Sequence, residues 1–180
     1  MRLILLTVAG ATLLGLALGG SLRGFPAVTI RWWWLAIAGL ALQLIPLRGD
    51  AATVALLVSF LGMLAFAAVN LSAPGFVLIL VGLALNALVI GANRGMPVTR
   101  QALVASGQSA TLRDLVADGG AKHHLADDGT VLEPLADTIA IPPPIAQAIS
   151  VGDICVQIGA AWFVIGAMPR RVRPTAEVTV

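Results

Sequence analysis

Charge is what this sequence most lacks. Charged residues make up 11 % of its 180 residues, against about 25 % in ordinary soluble domains. The shortage is patterned: whole stretches carry none, and several approach the ~20 apolar residues that a membrane-spanning helix needs. Cysteine is nearly absent as well. The single Cys155 excludes a disulfide framework and any CxxC pair. Lying in an apolar run, it reads as a small hydrophobe without the electropositive setting that activates a thiol. No lysine, arginine, glutamate or histidine interrupts the apolar runs. Buried ionisable groups are the usual marks of ion pathways and proton relays, so their absence weighs against a pump or a proton-coupled transporter. The net charge of +2 comes from basic residues at segment ends. They form no dense cluster with interleaved aromatics, which argues against a nucleic-acid partner.

What is present is a series of apolar runs separated by short turns. The first, from Leu3 to Gly20 behind Arg2, resembles a signal peptide but is longer than most signal cores, and it reads as a retained helix. The second, Trp32 to Leu47, opens with three tryptophans after Arg31, a composition suited to the headgroup level. Pro46 marks its end. The third, Ala51 to Val69, and the fourth, Gly75 to Ala92, are joined by "NLSAPG", and such short connections make neighbours antiparallel. A fifth run follows "SVGD". There Ser150 and Asp153 fit a capping box, and the helix from Val151 to Met168 would reach about 27 Å at 1.5 Å per residue.

The pattern predicts an all-α membrane protein with five transmembrane helices. Residues 1–92 form a four-helix part, 93–149 an extramembrane loop domain with short helices, 150–168 the fifth helix and 169–180 a basic tail. In the loop, Pro97 is expected near a helix start and Gly107 at its stop. "TLRD" from Thr111 to Asp114 reads as a capping box, "LADDGT" as a turn, and "IPPP" as an extended polyproline segment. The loop's regularly placed leucines, Leu103, Leu112, Leu115, Leu125, Leu132 and Leu135, predict that it folds back over one mouth of the bundle. An odd number of spans puts the termini on opposite sides. Arg23, Arg31, Arg170, Arg171 and Arg173 then face Arg2, Arg48, Arg94 and Arg100 across the bilayer. The compact C-terminal cluster favours a cytoplasmic C-terminus.

Potential chemistry is concentrated in "KHHLADDGTVLEPLADTIAIPPP", residues 122–144. His123 and His124 are adjacent, so they diverge by about 100° on a helix and face opposite sides on a strand. Neither arrangement lets both bind one ion, and Asp127, Asp128, Glu133 and Asp137 lack the spacing of a calcium loop. No metal and no cofactor are expected, and the stretch reads mainly as a solvated surface loop. Within the runs the polar residues are Gln43, Ser59, Asn86 and Gln157, the ordinary equipment of helix–helix hydrogen bonding. Asn86 shares a face with Asn93, and Asp153 with Gln157, so a polar mouth built from these four is the alternative. Gly15 and Gly19 form GxxxG, while Gly152, Gly159 and Gly166 recur every seven residues. These stripes predict that the first and last helices pack closely, on each other or on a partner.

"NRGMPVTRQAL", the histidine-bearing stretch and "SVGD" together resemble a bacterial membrane family known as domain of unknown function 5317. The positions that carry the resemblance are Asn93, Gly95, Met96 and Pro97, then Lys122 and His123, then Leu135, Ala136 and Asp137, and finally Ser150, Gly152 and Asp153. It covers most of the second half, while the first half agrees only in character. The resemblance implies a multi-helix fold and a set of candidate residues, with no reaction attached. The candidate polar cluster is therefore Asn86, Asn93, Arg94, Gly95, Met96, Pro97, His123, Asp137, Asp153 and Gln157. The leading expectation is a non-enzymatic accessory or scaffold subunit of a larger complex, in the bacterial plasma membrane, with the lipid bilayer and other membrane proteins as partners. The alternative is a transporter-like or small-molecule-binding protein with its polar mouth near Asn93 and Asp153. A membrane enzyme comes third, and it would need His123 and the nearby acids gathered at the bilayer surface.

Overall fold

A computed structural model describes residues 2–22, 29–120 and 122–168. Its order is α1 (Arg2–Ala17), α2 (Trp33–Leu44), α3 (Gly49–Val69), α4 (Phe76–Asn93), β1 (Met96–Val98), α5 (Arg100–Ala105), α6 (Ser109–Asp118), β2 (His123–Leu125), a 3-10 turn (Glu133–Leu135), β3 (Ile139–Ile141), β4 (Gln147–Ile149) and α7 (Val151–Gly166). The protein is mostly helical, and the five expected apolar helices are present. Two of them, α3 with 21 residues and α4 with 18, are long and apolar enough to cross a membrane. The other three are shorter than expected, at 16, 12 and 16 residues for α1, α2 and α7. Pro46 and Pro74 bound the α2 and α4 segments, and Ser150 starts α7 with the expected capping box.

Glycine spacing determines the main contact of the bundle, which is between α4 and α7. Gly75 and Gly82 on α4 repeat every seven residues, as do Gly152, Gly159 and Gly166 on and beside α7. The two stripes meet antiparallel. A methyl group added at Gly159 would lie 2.6 Å from the Gly75 carbonyl oxygen and 2.8 Å from Ile79, and one at Gly166 would lie 2.9 Å from Pro74. Backbones this close gain dispersion contacts along their whole length. Gly75 also caps α4 in the left-handed region, φ 81°, which only glycine adopts freely. The first and last helices also pack on each other, as one of the two expected arrangements, but through Gly15 and not through the α7 stripe: α1 lies parallel to α7 near its C-terminal end, where Gly15 meets Met168 and Ala11 packs with Val164. Beside α4, helices α2 and α3 form a hairpin in which Gly39 sits against Met63 and Gln43 donates to the Ser59 hydroxyl at 2.7 Å.

The all-α expectation needs correction in the loop, which carries two small sheets. β1 and β2 run parallel, pairing Met96 with His123 and Val98 with Leu125, and Val98 bridges to Asp137 on its other side. β3 and β4 form an antiparallel hairpin. Extended backbone wins at Met96–Val98 because Pro97 disfavours helix at the residue before it, so α5 starts later, capped by the Thr99 side chain. "TLRD" does not open a helix: α6 begins at Ser109 and contains Thr111 and Asp114. The triple proline forms a turn, with Ala146 N–H donating to the Pro142 carbonyl, in place of an extended segment. A small apolar core of Val98, Ala102, Leu103 and Ala148, with Leu112, Leu115 and Leu125 against it, holds the loop together. Leu135 packs into the bundle core, whereas Leu132 is exposed. The first interhelical loop around Arg23 and the tail with Arg170, Arg171 and Arg173, on which the orientation argument rests, lie outside the described residues.

Gly159→Ala should lower stability in detergent by about 1–3 kcal/mol, the usual cost of overpacking. Gly10→Ala, where an added methyl meets nothing within 4 Å, should be neutral or slightly stabilising. Equal effects of the two, read by thermal or denaturant unfolding, would rule out the glycine seam.

Candidate functional site

The candidate residues separate into three groups. Asn86, Ser150 and Asp153 form a buried knot at the top of the α4–α7 seam. Asn86 Nδ2 donates to Asp153 Oδ1 at 2.8 Å, and Ser150 Oγ donates to Asn86 Oδ1 at 2.8 Å. The capping box completes it: the Asp153 N–H donates to Ser150 Oγ at 2.9 Å and the Ser150 N–H to Asp153 Oδ2 at 3.2 Å. Ser150 and Asn86 are buried, so each polar atom taken from water here regains a partner. Gln157 is on the same helix one turn deeper, and its Oε1 is buried without a hydrogen-bond partner among the described residues.

Asn93 belongs to a second group. Its side chain donates to the Val131 carbonyl and accepts from the Val131 N–H, both at 2.8 Å, clamping the far limb of the loop to the end of α4. Arg94 does not approach Asp153. It is exposed and lines a separate surface hollow with His124 and Asp127, and its carbonyl accepts from Thr53. Gly95 lets the chain pass close to His124 and to the Lys122 carbonyl, each 3.2 Å from an added methyl. Met96 is buried in the bundle core and Pro97 in β1, so both are structural. A polar mouth uniting Asn93 with Asp153 is therefore not what forms.

The third group does converge. Beneath the loop, against the α2–α3 turn and the start of α7, lies a cavity of about 550 Å³. His123, Asp137 and Asp153 line it with Lys122, Arg48, Gln108 and Gln147, between apolar walls that include Leu47, Leu103 and Leu115. Asp137 is positioned by the backbone on both sides of Val98, its N–H donating to the Pro97 carbonyl at 3.0 Å and its carbonyl accepting from Thr99 at 3.2 Å. Its side chain is only 8 % exposed, and Oδ1 has no hydrogen-bond partner among the described residues. Oδ2 is 3.8 Å from His123 Nε2, beyond hydrogen-bond length.

Burial pushes the Asp137 carboxyl up to about 8, and the neighbouring Asp153 adds to the rise. His123 is shifted downward, first by desolvation and then by His124 and Lys122, with Asp153 opposing. Its side chain is 56 % exposed into the cavity, so screening limits that shift. An ion pair would move both groups the other way. At neutral pH the two are thus a neutral acid and a neutral imidazole.

Lys122, the sole lysine in the chain, has a role that spacing did not reveal. Its Nζ donates to the Gln43 carbonyl and, at 2.9 Å, to the Ile45 carbonyl. Both carbonyls lie where α2 stops before Pro46, that of Ile45 also accepting from the Leu47 N–H, and a cation at a helix C-terminus also meets the favourable end of the dipole. Arg48, Gln108 and Gln147 were likewise missed, because only the folded loop carries them to the cavity. Among the described residues, no three of the histidine, cysteine and acidic side chains are arranged to hold a metal.

Because the folded state holds the Asp137 proton far more tightly than an unfolded chain, stability should fall as pH rises from about 4 to about 8 and level off above. The slope should be on the order of 1 kcal/mol per pH unit. Asp137→Asn should flatten it in thermal unfolding from pH 5 to 9; an unchanged slope would show that Asp137 is not the group responsible.

Comparison with known proteins yields no match among curated proteins and none among solved structures. One family does match, described as a family of unknown function (DUF5317), over residues 27–165. That span takes in α2 to nearly the end of α7, including the glycine seam except Gly166, the polar knot and every residue of the cavity. The chain belongs to the DUF5317 family.

Proposed function

We propose that this chain is a multi-pass protein of the bacterial plasma membrane that binds a small molecule, without catalysis, in the cavity under its loop. The observation that carries the reading is the Asp137 carboxyl, held rigidly in a cavity of about 550 Å³ with one buried oxygen unpaired. A buried acceptor without a partner costs about 1–3 kcal/mol, and apolar walls with a few convergent polar groups are the usual composition of a ligand site. Binding is favoured over reaction because Asp153 has both oxygens engaged in the knot and His123 stands 3.8 Å from Asp137.

All five apolar helices are proposed to cross the bilayer. The outward faces of α1, α2, α3 and α4 are lined with exposed leucine, valine and isoleucine. Trp32, Trp33, Trp34 and Trp162 are exposed at the end opposite the loop, as an aromatic belt would be. The short α2 and α7 are accommodated by local thinning of the bilayer, and Lys122 supplies donors where the α2 backbone stops early. The C-terminus is proposed to be cytoplasmic, which puts the loop and its cavity on the outer face.

The accessory or scaffold reading keeps one observation of its own. Helix α1 touches chiefly α7, and only Ala11 and Gly15 on it are buried, so a membrane partner could pack on the rest. Purification in mild detergent followed by mass spectrometry of extracted small molecules tests the choice. A molecule retained by the wild type and lost from Leu115→Trp, which fills the cavity, is expected. An empty wild type that co-migrates with a fixed set of proteins would overturn binding in favour of the scaffold.

A further inference from the structure

The cavity is unusual in which of its charges are already satisfied. Lys122 Nζ is turned away to the α2 carbonyls. Asp153 Oδ1 and Oδ2 accept from Asn86 and from the Ser150 backbone. Arg48 lines the rim on the α2–α3 turn and forms no ion pair among the described residues. His123, on β2, approaches Asp137 no closer than 3.8 Å. Among the elements that enclose the cavity, α5 and α6 contribute Leu103, Thr111 and Leu115 to its wall, and β4 contributes Gln147 and Ala148, none of them charged. Asp137 is thus a buried carboxyl, with a second carboxylate beside it and no basic group within hydrogen-bond distance.

We infer that the cavity is a binding site for a primary ammonium group, seated on the Asp137 carboxyl, whose apolar or amphiphilic body lies against Leu47, Leu103 and Leu115. Three observations converge on a cation with several N–H donors. The Asp137 carboxyl lines the cavity with no basic group in hydrogen-bond contact, so it selects a donor. Two carboxyl groups face the same space, which disfavours an anion. The walls are apolar, which suits a carbon body behind the head and excludes a fully hydrated metal ion. The ammonium can come from a soluble amine or from an aminophospholipid headgroup, since the cavity opens at the mouth of the bundle. The assignment rests on the ligand-binding reading above.

The protonation state gives the inference a sign. At neutral pH the Asp137 carboxyl, raised to about 8, holds its proton. Seating an ammonium there releases it: the acid and the cation give a carboxylate–ammonium pair and one proton to solvent. Amine affinity therefore rises with pH, about tenfold per unit below the Asp137 value, as the binding-competent fraction grows. His123 titrates lower and acts in the same direction, but its contribution survives Asp137→Asn. A neutral donor such as an alcohol binds either form of the acid and releases no proton.

The experiment uses the full chain in nanodiscs of phosphatidylcholine, with hexylammonium as probe and hexanol and hexanoate as its neutral and anionic counterparts. Calorimetry is run from pH 6 to 9 in two buffers of different ionisation enthalpy. Expected are saturable hexylammonium binding that tightens about tenfold per unit up to pH 8, release of close to one proton at pH 7, and loss of both features in Asp137→Asn. The proton release needs only the wild-type protein, so it decides the matter even if the variant does not fold. In nanodiscs containing phosphatidylethanolamine, suppressed hexylammonium binding identifies the lipid headgroup as the source, and unaltered binding identifies a soluble amine. Saturable binding of hexanol or hexanoate in preference to hexylammonium, or hexylammonium binding without proton release, overturns the amine assignment while leaving the cavity a ligand site. Binding of none of the three probes overturns both.

Discussion

Everything at the loop end of the bundle depends on how closely α4 and α7 approach. The heptad glycines of the two helices bring their backbones together, so that Asn86 on one helix reaches Ser150 and Asp153 on the other at 2.8 Å. A side chain at Gly152 would occupy the space of the Asn86 amide itself, so seam and knot are a single construction. Because α4 leads into the loop and α7 leads out of it, closing that pair fixes both ends of residues 93–149 at one point. Chain closure by a tight base then costs the loop little further entropy, and a core as small as Val98, Ala102, Leu103 and Ala148 can order it. The Asn93 clamp on Val131 and the Lys122 bonds to the end of α2 tie the loop down at two further places.

How far this was legible in the sequence depended on the range of the interaction. Apolar runs, the α7 capping box and the Gly107 stop were readable because each is decided within a turn or two of chain. Helix ends were less so: α2 stops at Leu44, two residues before Pro46, and the cation that meets its last carbonyls, Lys122, lies far along the chain. The glycine stripe on α7 was visible, but its partner α4 was not singled out. The matching spacing of Gly75 and Gly82 was the available signal, more specific than the GxxxG of α1. The small sheets escaped because strands of three residues, held by pairings such as Met96 with His123, leave no periodicity to detect.

The candidate site shows the same division. Adjacency predicted that His123 and His124 diverge, and in β2 they line different hollows, His123 the main cavity and His124 the surface one. What spacing alone could not supply was the pairing of Asp137 with Val98, which carries an acid remote in sequence to the start of α7. The electrostatic consequence follows from that placement. An unpaired carboxyl near a second carboxylate, screened from water by the loop, keeps its proton near neutrality. Asp137, His123 and Asp153 thus gather at the loop end of the helices, under the loop that the α4–α7 seam positions.

Hydrogen–deuterium exchange of Asn86→Leu in nanodiscs tests that dependence most directly. The substitution keeps an apolar side chain in the seam and removes the partner of Ser150 and Asp153. If the knot holds the loop in place, the amides of Met96, Thr99, Ala126 and Asp137, whose hydrogen bonds tie the loop segments together, should lose protection by at least about tenfold. Those of α2 and α3 should keep theirs. Loop amides as protected as in the wild type would contradict the account.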